Sequence, residues 1–512
     1  MPQQQVDDAL AQLVNAELIF RRGMPPDAEY TFKHALVQDA AYSTLLRGRR
    51  QQLHARVAET LERQFPDIVA TEPALIAQHC AEAGLNEKAV RYRLTAGQQA
   101  LGRSAMTEAV AQLTKGLEAL AKLAEGIARQ QHELDLRLAL GPALIATQGW
   151  AAQATGETYT RAGELCEQLG RQHHLGAVRF GQFTHQNLRG EFRLAHETGA
   201  AILQIGHART DALLISLGHH FLGFNYIGLG EFTLARTELE QTLVTVCDPA
   251  LRSAATALTD ADQLVVTLVH LALPLVCLGY LDQARARREA AIAEARRLAH
   301  AFTLALALAY GLYGVEDASE AARAEELLAL STEHGFAFFK TMGTIHRGRY
   351  LAIEGREAEG IAQMTEGLAA FRSTGAVSFL PRFLILIAEA YGRARQPLVG
   401  LEHLTEAIDI VERTEGHEYE AELYRVRGQL LLALGDRAAA EESYCTALAV
   451  ARRQSAKLWE LRVSTSLARL WRDQRKRTEA RDLLAPIYGW FTEGFDTLDL
   501  KEAKALLEQL TE

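Results

Sequence analysis

The sequence predicts an all-α chain, a right-handed α-solenoid of stacked helix hairpins with a small α+β head, and three observations predict it. The segment Gly190-Glu191-Phe192-Arg193-Leu194-Ala195 returns forty residues later as Gly230-Glu231-Phe232-Thr233-Leu234-Ala235. Similar breaks follow at Leu278-Gly279-Tyr280, near Asp317, and at Glu354-Gly355-Arg356, Arg395-Gln396-Pro397, Leu434-Gly435-Asp436 and Gln474-Arg475-Lys476-Arg477. Between breaks the apolar residues keep helical spacing, and no stretch alternates as a long strand would. A helix pair cannot shield its own apolar face, so neighbours stack and share one core, and function is expected on surfaces rather than in a catalytic cleft.

Residues 1–65 do not fit the repeat and form the head. A short helix ending near Asn15 leads to Glu17-Leu18-Ile19-Phe20-Arg21, a turn at Gly23-Met24-Pro25-Pro26-Asp27, then Glu29-Tyr30-Thr31-Phe32 and a long helical run from Lys33. Two extended pieces joined by a Gly/Pro turn read as a β-hairpin, so helix, hairpin and helix suggest the second half of a winged-helix domain. Its first helices are missing from the sequence.

Residues 66–512 read as the repeat array, with a subdivision near 125–150. Glycine at each break can take the left-handed geometry that ends a helix, and the polar residue after it can cap the next. The small residue that follows, Ala235, Ala284 or Ala440, lets two helices approach closely. Leu401, Leu404, Ile408 and Val411 form one stripe, as do Ile361, Met364, Leu368 and Phe371, and Tyr444, Ala447, Leu448 and Ala451 continue it. Leu264 to Leu281 is an uncharged run at the short edge of a membrane span. His270, Pro274 and the break at Gly279 favour a buried solenoid helix instead.

Composition excludes several classes. With 512 residues, 48% hydrophobic and 11 Pro, the chain can build a large core and is not disordered. A net charge of −10 argues against a general nucleic-acid binder. Cys80, Cys166, Cys247, Cys277 and Cys445 are scattered and read as small hydrophobes in a reducing compartment, and the N-terminus has no secretory pattern, so a cytoplasmic location is expected. His79 and Cys80 point about 100° apart on a helix and make a poor metal pair. No phosphate loop, His-Glu-x-x-His, Gly-x-Ser-x-Gly or strand-linked Gly-x-Gly-x-x-Gly occurs, so neither a catalytic residue, a cofactor nor a metal is expected.

Two basic regions stand out. Lys33, Arg47, Arg49, Arg50, Arg56 and Arg63 sit in the head, where DNA contact is disfavoured by the acidic whole. From Ala451 to Arg481 there are ten Lys or Arg against three acids, with Trp459 and Trp471 interspersed. Arg452, Arg453, Lys457, Arg462, Arg469 and Arg472 are the candidates for a basic surface meeting an acidic partner. The tryptophans are expected to cap the apolar seam while the arginines stay in solvent.

The run Tyr30-Thr31-Phe32-Lys33-His34-Ala35-Leu36-Val37-Gln38-Asp39-Ala40-Ala41-Tyr42-Ser43-Thr44-Leu45-Leu46, followed by Arg49-Arg50-Gln51-Gln52-Leu53-His54, resembles a segment of large bacterial AAA/STAND-type predicted ATPases. Pro73 to His79, Leu423-Tyr424-Arg425 and the ending from Leu484 to Asp496 extend the resemblance over nearly the whole chain. In those proteins the segment lies between a nucleotide-binding module and a tetratricopeptide-like array, and many carry a class III adenylate or guanylate cyclase domain. The resemblance implies an interdomain contact through Tyr30, Phe32, His34, Gln38, Asp39, Tyr42, Arg49 and Arg50. It implies a regulatory, non-catalytic half whose array holds a protein, peptide or small effector in a concave groove, with an ATPase or cyclase module as a separately encoded partner. A stand-alone adaptor or transcription-regulator fragment is the alternative reading, and an enzyme with an unrecognised site comes last. No membrane partner is expected.

Overall fold

A computed structural model describes residues 3–24, 28–103, 105–259, 261–313 and 319–511. The expected turn residues 25–27 and the break near Asp317 lie outside them. The described residues form 27 α-helices, one short 3₁₀ turn and one two-stranded sheet. The chain divides into two compact units, residues 1–140 and 141–512.

The first unit begins with the helix Gln3–Asn15 and an antiparallel hairpin, Ile19–Arg22 with Glu29–Phe32, in which Ile19 faces Phe32 and Arg22 faces Glu29. The long helix expected from Lys33 is two helices, Ala35–Ser43 and Arg47–Gln64. Ser43 and Thr44 turn their hydroxyls back onto the carbonyls of Ala40 and Ala41, offering the backbone an alternative to a further turn. Ala35–Ser43 has no buried residue. Helical hairpins follow, and Pro66 and Pro73 open two of their helices, where a missing N–H costs nothing.

In the second unit every expected break on a described residue has one geometry. Gly190, Gly230, Gly279, Gly355 and Gly435 have φ between +73° and +90°, and Arg395 and Arg475 take the same left-handed turn at +58° and +65°. At each, the N–H of the next residue bonds the carbonyl five residues back: Glu191 to Gln186, Glu231 to Tyr226, Tyr280 to Leu275, Arg356 to Leu351, Gln396 to Tyr391, Asp436 to Leu431 and Lys476 to Trp471. The turn is therefore fixed by backbone closure, with glycine merely the easiest residue to place in it. Capping by the polar residue that follows occurs at Asp436, which accepts from Ala439 N–H, but not at Glu191 or Glu231. Arg395→Gly is expected to raise stability by about 0.5–1 kcal/mol, the relieved left-handed strain less the added freedom of the unfolded chain, read as a higher denaturation midpoint.

A second regularity explains the close packing. Seven residues before a break stands Gly223, Ala272, Gly348, Ala388, Gly428 or Ala468, and five after it Ala235, Ala284, Gly360, Gly400, Ala440 or Ala480. These small residues bring the two helices of a hairpin into near-backbone contact, and the longer apolar residues bury around them. Met364, Leu368, Phe371, Leu404, Val411 and Tyr444 are all less than a tenth exposed.

The uncharged run forms the helix Gln263–Cys277, in which every residue but Leu264 is buried. Among the described residues no single helix is long and apolar enough to cross a membrane. It lies at the centre because the second unit winds back on itself. Val377 and Ser378 N–H groups donate to Leu188 O at 2.7 and 3.1 Å, and Glu418 N–H to Gly228 O at 3.2 Å. Asp282 and Gln283 N–H groups donate to the Glu493 carboxylate at 3.0 and 3.2 Å, while Arg285 pairs with Asp496 at 3.0 Å. Hairpins roughly 190–210 residues apart therefore touch, and the concave side of the solenoid closes down around cavities.

Candidate binding groove

Five inner helices of the second unit, Ala337–Ile353, Leu380–Arg393, Glu420–Ala433, Lys457–Asp473 and Leu498–Thr511, line a cavity of about 480 Å³. Equivalent positions of successive repeats face it. Arg382, Glu422, Arg462 and Glu502 recur every forty residues, and Arg349, Glu389, Gln429 and Arg469 do the same one helical face along. Stacking similar hairpins places these side chains in rows; Arg462 reaches Glu422 within the first row, and Arg469 ties the second row to Glu502 of the first.

The ties are short. Arg425 donates to both oxygens of Glu422 at 2.8 and 2.9 Å and to Glu389 at 3.0 Å. Arg462 holds both oxygens of Asp499 at 2.7 and 3.0 Å and reaches Glu422 at 3.4 Å, and Arg469 pairs with Glu502 at 2.6 Å. Burial pushes the Glu422 carboxyl up, but Arg425 and Arg462 outweigh it and hold the group below the usual carboxylate range.

Arg382 is arranged differently. Its guanidinium lies over the rings of Tyr313 and Tyr419, at 4.2 and 5.1 Å, and donates to Leu312 O at 3.0 Å. Its Nε has no hydrogen-bond partner, and it makes no ion pair among the described residues. Nearby Glu418 is partly buried, and desolvation pushes its carboxyl up to about 7 against the pull of Tyr419 and Arg382. A guanidinium stacked on two aromatic faces, rather than locked to a carboxylate at ion-pair distance among the described residues, presents its charge to an incoming anion.

The candidate basic surface splits between the groove and the outside. Arg462 and Arg469 line the cavity with Trp459, whose ring lies 5.1 Å under Arg462. Arg452 and Lys457 converge on Glu460 at 2.9 and 2.7 Å, Arg453 pairs with Glu420 at 2.7 Å, and Arg472 bonds Gln509 at 2.7 Å and Asp473 at 3.0 Å. Arg452 and Arg453 are exposed as expected, though paired, whereas Arg462 is drawn into the cavity by Asp499 and Glu422 and is corrected on that point. Trp471 is partly buried at the seam and donates its N–H to Glu441 at 2.8 Å.

In the first unit, Tyr30 and Phe32 sit on the second strand, and His34 precedes the helix that carries exposed Gln38 and Asp39. Tyr42 meets Arg50, whose guanidinium lies 5.0 Å over its ring, and His54 at 3.0 Å; His54 in turn lies 2.8 Å from His79. Among the described residues Arg49 reaches only Gln52, at 3.4 Å. No group of three or more His, Cys, Asp or Glu among the described residues could hold a metal ion. Sequence reading missed Arg382 and Glu422, although the forty-residue recurrence of charge was there to find them, and noted Arg425 only as part of a resemblance.

Residues 381–453 match the tetratricopeptide repeat family. These residues supply the Arg382, Glu422 and Arg425 face of the groove. An uncharacterized protein of Rhizobium meliloti (strain 1021) is 27% identical over 439 residues, 84% of this chain and 42% of that protein, so the chain spans less than half the length of the curated relative it matches. The solved Rap protein complexed with Competence and Sporulation Factor is similar over 72% of this chain and 99% of its own, with TM-score 0.50 and 15% identity. The Cut9–Hcn1 hetero-tetramer of the APC/C covers 94% of this chain and 99% of its own at TM-score 0.42 and 12% identity. At such identities the Rap likeness shows the fold alone: a tetratricopeptide-like α-solenoid.

Proposed function

We propose that this protein is a non-catalytic recognition module whose second unit holds an extended peptide or protein segment bearing an acidic group in the arginine-lined groove. Arg382 carries the reading: it is a partly buried cation on an aromatic bed, without an ion-pair partner among the described residues, in a cavity large enough for a few side chains. The tied arginines around it form a rigid frame, so a bound acidic group would be met by a preorganised charge. That the similar Rap structure is a complex with a factor adds support for a ligand on this fold.

In the finer reading, occupancy of the array is relayed through the head, with Tyr30, Phe32, His34, Gln38, Asp39, Tyr42, Arg49 and Arg50 as the contact to an ATPase or cyclase module, in the cytoplasm. The bare helix Ala35–Ser43 and the exposed side chains of Leu36 and Leu46 support a contact there.

Selection of a random linear peptide display library against the full chain tests the groove. Enriched peptides are expected to share an acidic residue or a free carboxyl terminus and to bind Arg382→Ala about tenfold or more weakly, the loss of one desolvated charge contact. Enriched peptides that bind Arg382→Ala as well as the parent, or that lack any acidic group, would sink the proposal.

A further inference from the structure

A second cavity in the same unit has the opposite chemistry. It encloses about 90 Å³, against the roughly 10–15 Å³ a single water needs. It shares no lining residue with the arginine groove, and no Asp, Glu, Lys or Arg among the described residues lines it. Its wall is a sheet of rings. His270 stacks on Phe224 at 4.2 Å and lies 5.2 Å from His220, and Tyr310 meets its edge at 4.6 Å. Trp150, Phe180, Phe302 and Phe338, each partly exposed, form the rim.

Three polar side chains in this wall are stranded. His220, His270 and Gln263 are 6%, 5% and 2% exposed, yet among the described residues His220 Nδ1, both ring nitrogens of His270 and Gln263 Nε2 have no hydrogen-bond partner. Leaving each such group unpaired costs about 1–3 kcal/mol, which a core packed for stability alone would avoid. Burial also holds both histidines below their ordinary range, His220 at about 4, so each stays neutral with one nitrogen to donate and one to accept.

We propose that this cavity is a binding site for a small, uncharged, planar aromatic molecule that carries both a hydrogen-bond donor and an acceptor. The rings supply stacking faces, and His270 and Gln263 supply the polar contacts that fix its orientation. A charged ligand is disfavoured because no ionised side chain among the described lining residues faces it to offset its desolvation.

Benzimidazole and benzoate are the probes, one neutral with donor and acceptor on a fused ring, the other charged. With the full chain, benzimidazole is expected to raise the thermal midpoint and give a saturable calorimetric titration, and benzoate to do neither. His270→Phe keeps the ring packing and removes the polar contacts, so it should fold at least as stably and bind benzimidazole about tenfold or more weakly. Leu306→Trp fills the cavity from its rim and should abolish binding. Failure of benzimidazole to bind the parent protein, with His270→Phe simply more stable, would mean a water-filled hole and overturn the proposal. Equal binding of benzoate, or benzimidazole binding untouched by both substitutions, would overturn it as well. The comparison of the two probes on the parent protein decides the matter even where a variant fails to fold.

Discussion

Arg425→Ala is expected to destabilise the second unit by about 3–5 kcal/mol, the cost of stranding buried carboxylates. Arg425 and Glu422 are 9% and 6% exposed, and the guanidinium bridges Glu422 on its own helix to Glu389 on the preceding inner helix. Truncation leaves Glu422 with only the longer contact to Arg462 at 3.4 Å and leaves Glu389 with no partner on the next repeat. The double change Arg425→Leu with Glu422→Leu removes both charges together and should recover most of the loss, since Arg462 keeps Asp499 and Glu389 turns to solvent. The measurement is the urea midpoint of each variant at unchanged slope. A single variant within about 1 kcal/mol of the parent would show that this pair does not hold the two repeats together.

Gly360→Val should cost about 3 kcal/mol or more, because the clash is with backbone and not with a side chain that can rotate away. A Cβ on Gly360 would run into Gly348 O and lie 2.7 Å from Ala352 N, and one on Gly348 would lie 2.7 Å from Gly360 O. The helices Ala337–Ile353 and Glu357–Ser373 must separate to admit it, which opens the seam that Met364 and Phe371 fill. Gly355→Ala is the control. It stands at φ +87° with nothing within 4 Å of its Cβ, so only the left-handed strain of about 1–2 kcal/mol is expected. Equal losses at the two glycines in thermal or urea unfolding would refute the close approach.

Much of the fold was legible because its rules are local. The breaks, the stripes such as Leu401, Leu404, Ile408 and Val411, and the small residues at Ala235 and Ala440 follow from helix geometry and the needs of a turn, both written within a few residues. The one helix from Lys33 was misread because hydroxyl-to-backbone bonds at Ser43 and Thr44 compete with helix continuation in a way periodicity does not record. Among the basic candidates, Arg462 and Arg469 were noticed for their charge but assigned to solvent, since their partners Asp499 and Glu502 stand over thirty residues away.

The sequence by itself determined that this chain stacks helix hairpins of about forty residues, because each unit's apolar face and its turn are encoded inside the unit. Only the tertiary structure decided how far the stack winds. Each hairpin turns slightly against its neighbour, and no single repeat states that rotation. Its accumulation brings Leu188 to Val377 and Asp282 to Glu493, and so encloses an arginine groove and an aromatic cavity that no one repeat contains.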